Sequence, residues 1–377
     1  MLEYNYIIIL INTIKKRLQL VFKEISRGIF KLFYGEIDTI ETNSDRLEII
    51  NSTFDKHINY KIYIVKNSRI YTDTINDTAI IHDNKIIEGP SFQIRDAKFA
   101  EINENIVLSK GTSRIKKKIN GVIFSLLTGG AGNFNYWHWL FDVLPRIKIL
   151  ENSYNLEKID YFLLPNLEKK FQQETLDLLN IPIKKRLSSI KLRHISADQI
   201  ISTDHPYVRN NNASYEIQNL PNWMLNWLRT SFLKEDIFKD NSYPKKIFID
   251  RSDATSNHSE FRKILNEQEI IEKLKSDGYK AIRLADISFN EQVKTFFNAE
   301  KIIGLHGAGF ANLIFCKPNT EILEIKPSTD GKVIENLANK LNINYKRLSK
   351  VPEKYNFNNQ LGHISINYQE IQNIFNT

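Results

Sequence analysis

The chain has 377 residues, of which 42% are hydrophobic and 25% are charged. These proportions exclude an intrinsically disordered chain and a bundle of membrane-spanning helices, and the length leaves room for two domains. Lysine and arginine number 52 against 44 for aspartate and glutamate, and the resulting net charge of +8 favours acidic partners. The single cysteine, Cys316, rules out an internal disulfide framework and fits a reducing compartment.

Residues 1–35 are predicted to form a basic amphipathic helical segment. The apolar run at residues 7–11 is too short to span a bilayer. Behind it, apolar residues recur at intervals of three and four, as on one face of a helix. They are Ile14, Leu18, Val21, Ile25, Ile29 and Leu32. This helix either packs on its own domain or rests on a membrane surface, because the residues beside the apolar face are mostly basic.

Residues 36–240 are predicted to form an N-terminal lobe with extra β-hairpins. β-Branched and aromatic runs predict strands at Tyr60–Val65, Arg69–Thr72, Ala79–His82 and Lys85–Ile87. The pair Asp83-Asn84 predicts a turn between the last two of these runs. Residues 204–222, rich in Asp, Asn and Pro, predict a loop, and residues 240–244 predict a linker.

Residues 241–377 are predicted to form a C-terminal lobe in which strands and helices alternate. The predicted strands are Lys246–Ile249, Tyr279–Leu284, Lys301–Leu305 and Glu321–Ile325, and the predicted helices are Glu260–Ser276 and Ser288–Asn298. Ser288 and Glu291 at the start of the second helix form a capping-box pattern. Such alternation indicates an α/β fold with a parallel sheet, whose ligands bind at the carboxyl ends of the strands.

The segment 301–312 carries the strongest functional signal in the chain. An apolar strand leads into His306, and Gly307 and Gly309 open what is predicted to be a helix. Glycines let the backbone approach a ligand closely, and the N–H groups at a helix start favour anions. The pattern matches neither the dinucleotide fingerprint nor the P-loop. Two alternatives therefore remain for His306: it contacts a phosphate, or it only stabilises the turn through its own hydrogen bonds.

Two arginines precede this segment. Arg251 leaves a predicted strand end, and Arg262 is predicted to sit one turn into the following helix. Arginine suits a diphosphate because its planar fork makes bidentate, charge-assisted contacts. The alternative is two solvated surface charges.

A second glycine-led segment, residues 129–138, ends at His138, and Asp142 follows four residues later. A spacing of four places the pair on one helix face, and a carboxylate beside a histidine fixes its tautomer and raises its basicity. Such a pair suits a general base, whereas the alternative is a core histidine bonded to its neighbour. Since the two glycine-led segments lie in different halves of the chain, a cleft between two lobes is predicted.

Taken together, these residues resemble glycosyltransferase family 61, over roughly residues 120–330. The first block of the resemblance is Asn135, His138 and Asp142 with Leu144-Pro145 behind them. The second block is Arg251 followed by Arg262, Asn266 and Glu267. The third block is His306, Gly307, Ala308 and Gly309, with Asn312 and Glu324 further on.

The resemblance implies a GT-B architecture: two Rossmann-like lobes facing a cleft, with the nucleotide-sugar donor on the C-terminal lobe and the acceptor on the N-terminal lobe. It also implies inverting transfer from a UDP-sugar that needs neither metal nor cofactor. The donor side would comprise Arg251, Arg262, Asn266, Glu267, His306, Gly307, Ala308, Gly309, Asn312 and Glu324. His138 or Asp142 would deprotonate the acceptor, with His138 favoured, and Asn135 and Trp137 would lie on the acceptor side. The sequence has no pair of aspartates two residues apart, which also argues against a metal–nucleotide site.

The predicted function is glycosyl transfer in the synthesis of bacterial capsule, O-antigen or a similar surface polysaccharide. The expected partners are a UDP-sugar, a glycan or lipid-linked glycan acceptor and an anionic membrane, with no nucleic acid. The expected location is the cytoplasm or the inner-membrane surface. Two rival hypotheses are a polysaccharide pyruvyl transferase on the same scaffold and a non-catalytic membrane-surface protein.

Overall fold

The computed structural model describes residues 2–37, 39–55, 58–73, 77–129, 135–165, 167–235, 237, 240, 242–252, 262–328, 331–353 and 362–376. Proximity of Cα atoms groups the chain into two compact units. Unit 1 comprises Met1–Gly132, Arg146–Asn166 and Lys184–His205, and unit 2 comprises Asn133–Pro145, Leu167–Ile183 and Pro206–Thr377. This division differs from the predicted boundary near residue 240, because residues 133–145, 167–183 and 206–240 group with the C-terminal part of the chain.

The described α-helices, in chain order, are α1 (Leu2–Tyr34), α2 (Ile106–Lys110), α3 (Tyr136–His138), α4 (Pro145–Glu151), α5 (Lys170–Leu178), α6 (Ala213–Glu216), α7 (Asn222–Phe232), α8 (Glu267–Ser276), α9 (Phe289–Asn298), α10 (Val333–Lys340) and α11 (Tyr368–Asn376). Ser288 caps α9 by accepting a hydrogen bond from the Glu291 N–H, and the Glu291 carboxylate accepts from the Ser288 N–H. The capping box predicted from the sequence is thereby confirmed.

Unit 1 is built on a ten-stranded mixed sheet in the order β1-β5-β4-β3-β12-β9-β10-β11, with β2 paired to β3 and β8 paired to β12. The strands of unit 1 are β1 (Thr39–Glu41), β2 (Leu47–Asp55), β3 (Ile58–Thr72), β4 (Thr78–His82), β5 (Lys85–Ile87), β6 (Ile94–Arg95), β7 (Lys98–Phe99), β8 (Lys117–Lys118), β9 (Val122–Ser125), β10 (Tyr161–Leu164), β11 (Arg186–Ser188) and β12 (His194–Thr203). The predicted strands are present, although two of them merge into the long β3. Asp83 and Asn84 have φ of 43° and 62°, the left-handed geometry of a tight hairpin turn, as predicted.

Helix α1 is joined to the sheet of unit 1 at its carboxyl end. The Tyr34 ring packs edge-on against His194, and the Tyr34 hydroxyl accepts a hydrogen bond from the backbone N–H of Lys116. Arg69 donates to the Tyr34 carbonyl. The predicted apolar face is exposed, with Leu18 65% and Leu32 87% accessible. The structure therefore does not show the first of the two alternatives, in which this apolar face packs on its own domain.

His194 is a buried polar group of unit 1, with 1% of its surface exposed. Its Nδ1 lies 3.0 Å from the carbonyl oxygen of Arg114, and its Nε2 lies 3.2 Å from the Arg69 guanidinium. A guanidinium only donates, so Nε2 accepts and the proton of neutral His194 resides on Nδ1. Burial, with smaller contributions from the charges of Arg69 and Lys116, lowers the pKa of His194 to about 4 against the opposing Arg114 bond.

The shift in the pKa of His194 makes stability depend on pH. Because the folded-state pKa is depressed, the unfolded chain binds more protons between pH 6.5 and 4, so this contribution is full above pH 6.5 and is lost as pH falls. The lost stability amounts to about 3 kcal/mol. We expect the melting temperature of His194→Gln to fall less between pH 7 and pH 4 than that of the wild type, by differential scanning fluorimetry. Parallel declines for the two proteins would contradict this assignment.

Unit 2 contains a five-stranded, wholly parallel sheet in the order β15-β13-β16-β17-β18. The strands of unit 2 are β13 (Lys246–Asp250), β14 (Lys263–Ile264), β15 (Lys280–Arg283), β16 (Lys301–Leu305), β17 (Glu321–Pro327), β18 (Asn344–Lys350) and β19 (His363–Ile364). The predicted parallel α/β sheet is confirmed. Its apolar residues, among them Phe248, Ile303 and Leu323, pack with those of α8 and the C-terminal segment in one buried cluster.

Two local predictions in unit 2 were wrong. The helix predicted from Glu260 begins only at Glu267, because Lys263–Ile264 pairs with His363–Ile364 as a short parallel ladder; residues 260 and 261 lie outside the described residues. The predicted loop 204–222 contains α6 and a following 3₁₀ turn. There the buried Glu216 carboxylate accepts hydrogen bonds from three backbone N–H groups of residues 209–212, which folds the segment back on itself.

Candidate active site

Arg251 and His306 directly follow two adjacent strands, β13 and β16. Numbered in chain order, the five parallel strands lie in the order 2-1-3-4-5, so these two are the pair from which the chain winds in opposite directions. At such a switch point the loops after the two strands diverge and leave a crevice for a ligand. The prediction that Arg251 and His306 fall at carboxyl ends of strands in the parallel sheet is confirmed, and the structure adds that the two strands are neighbours.

Arg251 and Arg262 converge on one backbone oxygen. Nη1 of Arg251 and Nε of Arg262 both donate to the carbonyl of His306, the latter at 2.8 Å. Arg262 is 5% exposed, so its guanidinium is held within the unit. Arg262 precedes β14 rather than lying in a helix, which corrects its predicted position. The structure nevertheless brings the two arginines together at the His306 segment, whereas their predicted contact with a diphosphate stays a prediction.

The glycine at position 307 makes room for Arg251. A Cβ at this position would lie 2.7 Å from Cζ and Nη1 of Arg251, closer than any normal contact. Gly307 has an extended backbone with φ of 168°, so the glycine is needed for this close approach and not for its backbone angles. The predicted helix after the turn is a 3₁₀ helix, Ala308–Phe315, and at Gly309 a Cβ would meet Leu284 at 2.9 Å.

Glu324 holds the ring of His306. Its Oε1 is hydrogen-bonded to Nδ1 of His306, and its Oε2 accepts from the hydroxyl of Tyr345. The Lys326 ammonium lies 3.9 Å from the same Oε2, and Glu324 is 1% exposed. Burial, and then the charge of Glu324, raises the pKa of Tyr345, so its hydroxyl stays protonated and donates. Both carboxylate oxygens of Glu324 are engaged inside the protein, which favours positioning of His306 over the predicted contact with nucleoside or sugar.

Asn312 joins the glycine turn to helix α3. Its Oδ1 accepts from the Tyr136 hydroxyl at 2.6 Å, and its Nδ2 donates to Gln292 at 3.1 Å and to the Gly309 carbonyl at 3.3 Å. Asn312 is fully buried, and burial raises the pKa of Tyr136, which keeps that hydroxyl a donor. The amide of Asn312 is thus used inside the protein, so the structure favours a bracing role over the predicted donor contact.

His138 and Asp142 form the predicted pair, with Nδ1 of His138 2.9 Å from Oδ2 of Asp142. The His138 side chain is 25% exposed, whereas Asp142 is 1% exposed. Burial lowers the pKa of His138, but the charge of Asp142 and its hydrogen bond together outweigh this effect, so the pKa is raised. The pair spans the junction from α3 to a π-helical turn, Trp139–Val143, and such turns recur at functional sites.

Sequence reasoning missed Tyr207, whose buried hydroxyl lies near enough to the Asp142 carboxylate for that charge to shift its pKa. Burial, followed by the charge of Asp142, raises the pKa of Tyr207 well above its usual value, so its hydroxyl is a donor at neutral pH. The groups around His138 therefore resemble those around His306: a histidine, a buried carboxylate on its Nδ1, and a tyrosine near that carboxylate. No local pattern marks Tyr207 or Tyr345, because tertiary packing alone brings each beside its carboxylate.

The structure places four other predicted site residues at helix starts or in packed positions. Asn135 caps α3, with its Oδ1 accepting from the Trp137 N–H at 2.9 Å. Trp137 is 5% exposed and packs on Phe141. Asn266 exchanges two hydrogen bonds with the backbone of Ile366, and Glu267 is the first residue of α8. Residues 130–134 of the first glycine-led segment lie outside the described residues.

All the predicted site residues belong to unit 2, although the sequence placed His138 and Asp142 in a different lobe from the donor site. Within unit 2 the Tyr136–Asn312 hydrogen bond ties the His138 helix to the turn that follows β16. In the part of the chain that the structure describes, no three His, Cys, Asp or Glu side chains are grouped so that they could hold a metal ion.

Comparison with known proteins places this site in a family. Residues 136–323 match the family model described as Glycosyltransferase 61. The chain is 29% identical over 92 residues to the EGF domain-specific O-linked N-acetylglucosamine transferase of Gallus gallus, and the match covers 23% of this chain and 17% of that protein. The proteins of the same name from Mus musculus and Xenopus laevis are 31% and 30% identical over 92 residues, which is 23% of this chain and 18% of each relative. The match thus spans less than a fifth of these relatives.

The matched residues include the arginines at the switch point of the parallel sheet, and the matched family is one of transferase enzymes. The chain belongs to glycosyltransferase family 61. The family match spans His138, Asp142, Arg251, Arg262 and His306, and it ends one residue before Glu324.

Proposed function

We propose that this enzyme is an inverting, metal-independent glycosyltransferase that moves a sugar from a UDP-sugar to a hydroxyl group of a glycan acceptor. The observation that carries the proposal is the convergence of Arg251 and Arg262 on the His306 carbonyl at the switch point of the parallel sheet. A departing diphosphate needs positive charge and N–H donors placed in advance, and each guanidinium supplies five donors in a fixed fork. The GT-B arrangement of two lobes is part of this proposal.

The chemical step follows from these positions. The acceptor oxygen attacks the anomeric carbon of the donor while the bond from that carbon to the diphosphate oxygen breaks, which inverts the configuration. The hydroxyl proton passes to His138, whose Nδ1 is engaged by Asp142, so Nε2 is the accepting atom. The leaving UDP keeps the bonding electron pair, and Arg251 and Arg262 stabilise the charge that develops on it.

The substrates and the location extend this proposal. The matched relatives are named for N-acetylglucosamine, so UDP-N-acetylglucosamine is the first donor to test. The acceptor we propose is a glycan or a lipid-linked glycan in the synthesis of bacterial surface polysaccharide. A lipid-linked acceptor would place the enzyme in the cytoplasm at the inner-membrane surface. Family membership disfavours the non-catalytic alternative.

The donor site can be tested by thermal shift with nucleotides in the presence of a metal chelator. We expect UDP to raise the melting temperature, because a ligand at 100 times its dissociation constant stabilises the folded state by about 2.7 kcal/mol. GDP, CMP and phosphoenolpyruvate serve as matched anions. No response to any nucleotide would remove the donor assignment, and a response to phosphoenolpyruvate alone would favour the pyruvyl transferase. Mass spectrometry of products from a UDP-sugar panel would then identify the donor.

A further inference from the structure

Eight of the nine large exposed apolar side chains between residues 13 and 34 of helix α1 form one continuous stripe, and the ninth, Leu20, lies outside it. At 100° per residue, the eight fall within about a third of the helix circumference. They are Ile14, Leu18, Val21, Phe22, Ile25, Ile29, Leu32 and Phe33, with accessible fractions from 47% at Ile29 to 87% at Leu32. Exposed hydrophobic residues scattered singly are ordinary, but a contiguous stripe of this length marks an interaction surface.

The rest of the same helix surface is strongly basic. Residues 13–34 contain six basic side chains and one acidic side chain, Glu24. The basic residues are Lys15, Lys16, Arg17, Lys23, Arg27 and Lys31. The groove between α1 and the rest of unit 1 adds Lys110 and Arg114 to its lining, although Lys110 is paired with Asp73. An apolar stripe flanked by cations matches an anionic lipid surface, which offers hydrocarbon to the stripe and phosphate groups to its flanks.

We propose that this stripe of α1 is the surface by which the enzyme docks on a bilayer rich in anionic lipid. A second copy of the chain is a poorer occupant, because pairing two such helices would bring two basic surfaces together without acidic partners. No helix among the described residues is long and apolar enough to cross a membrane, so α1 would lie along the interface. Its 33 residues extend about 50 Å.

Because the carboxyl end of α1 is fixed to unit 1, a membrane that binds α1 also holds unit 1 at its surface. The carboxyl end of α1 is held by the Tyr34–His194 ring contact, by the bond from Arg69 to the Tyr34 carbonyl, and by the Lys116 ammonium 4.9 Å from the centre of the Tyr34 ring. This proposal names the surface responsible for the membrane location given under the proposed function, and its biological role rests on that function. The surface itself lies in unit 1, outside the donor site of unit 2.

Co-sedimentation of the full chain with lipid vesicles tests this surface. We expect binding to vesicles of equimolar phosphatidylglycerol and phosphatidylcholine, weak binding to phosphatidylcholine alone, and release by salt. The double variant Leu18→Glu/Phe22→Glu should lose binding. The matched control Ile183→Glu changes a side chain that is 75% exposed in unit 2 and should bind like the wild type. Lys16→Gln and Lys23→Gln should each weaken binding roughly fivefold.

Three outcomes would overturn the proposal. They are unchanged binding by the double variant, equal binding to neutral vesicles, and a dimer that needs Leu18 and Phe22 in a chain that ignores vesicles. Circular dichroism and a cooperative thermal unfolding transition serve as checks that each variant is folded. Vesicle binding without any UDP response would sink the donor site and leave this surface standing. A UDP response without vesicle binding would support the donor site and overturn the membrane-docking surface.

Discussion

His138→Ala should reduce the rate of sugar transfer by about 10²–10⁴-fold while leaving the affinity for UDP nearly unchanged. The reason is the contact that His138 makes: its Nδ1 is bound to the buried Asp142, and its ring is one quarter exposed, as a base that must meet an acceptor requires. Transfer would be measured with the donor and acceptor found by the product screen, and UDP affinity by isothermal titration calorimetry.

The Asp142→Asn variant separates a base from a passive core histidine through its pH profile. A base works only when deprotonated, so activity should rise with pH through the pKa of His138, which Asp142 raises. Without the carboxylate charge that pKa falls, so the acidic limb of the profile should move to lower pH while the plateau rate drops. The assignment of His138 as the base would be contradicted if the acidic limb did not move in Asp142→Asn. It would also be contradicted if His138→Ala lost as much UDP affinity as transfer rate.

Local pattern was sufficient to predict the framework of the site from the sequence. The strand Lys301–Leu305, the capping box at Ser288 and the His138–Asp142 pair are each determined by residues within a few positions of one another, and all three are present. The convergence of Arg251 on His306 follows from one further rule, because the carboxyl ends of adjacent parallel strands share an edge.

The remaining features depend on contacts between distant residues. The helix predicted at Glu260 fails because residue 264 pairs with residue 364, a partner one hundred positions away. Asn312 and Glu324 match the family pattern, but only the packed structure shows their polar atoms engaged by Tyr136 and Tyr345. Residue type predicted that these positions matter; the three-dimensional partners decide whether each one touches a ligand or holds another residue.

Arg251→Ala should weaken UDP binding about tenfold or more, since one lost charge-assisted contact exceeds about 1.4 kcal/mol. Removing an arginine also removes its bond to the His306 carbonyl, so weaker binding alone would not separate a ligand contact from a disturbed turn. A variant that displaces the guanidinium while keeping the arginine resolves this ambiguity.

Gly307→Ala is that variant. The added methyl group would lie 2.7 Å from the Arg251 guanidinium, the mobile end of a long side chain, so Arg251 can move aside at small cost. The extended backbone at Gly307 accepts alanine, and the stability change should stay within about 1 kcal/mol. UDP binding should nevertheless weaken as in Arg251→Ala, whereas Gly331→Ala, where a Cβ meets nothing within 4 Å, should bind normally. The double variant should lose little more than either single one, because both act through the same guanidinium. Full UDP affinity in Gly307→Ala would show that the position of Arg251 against the turn is not what holds the diphosphate.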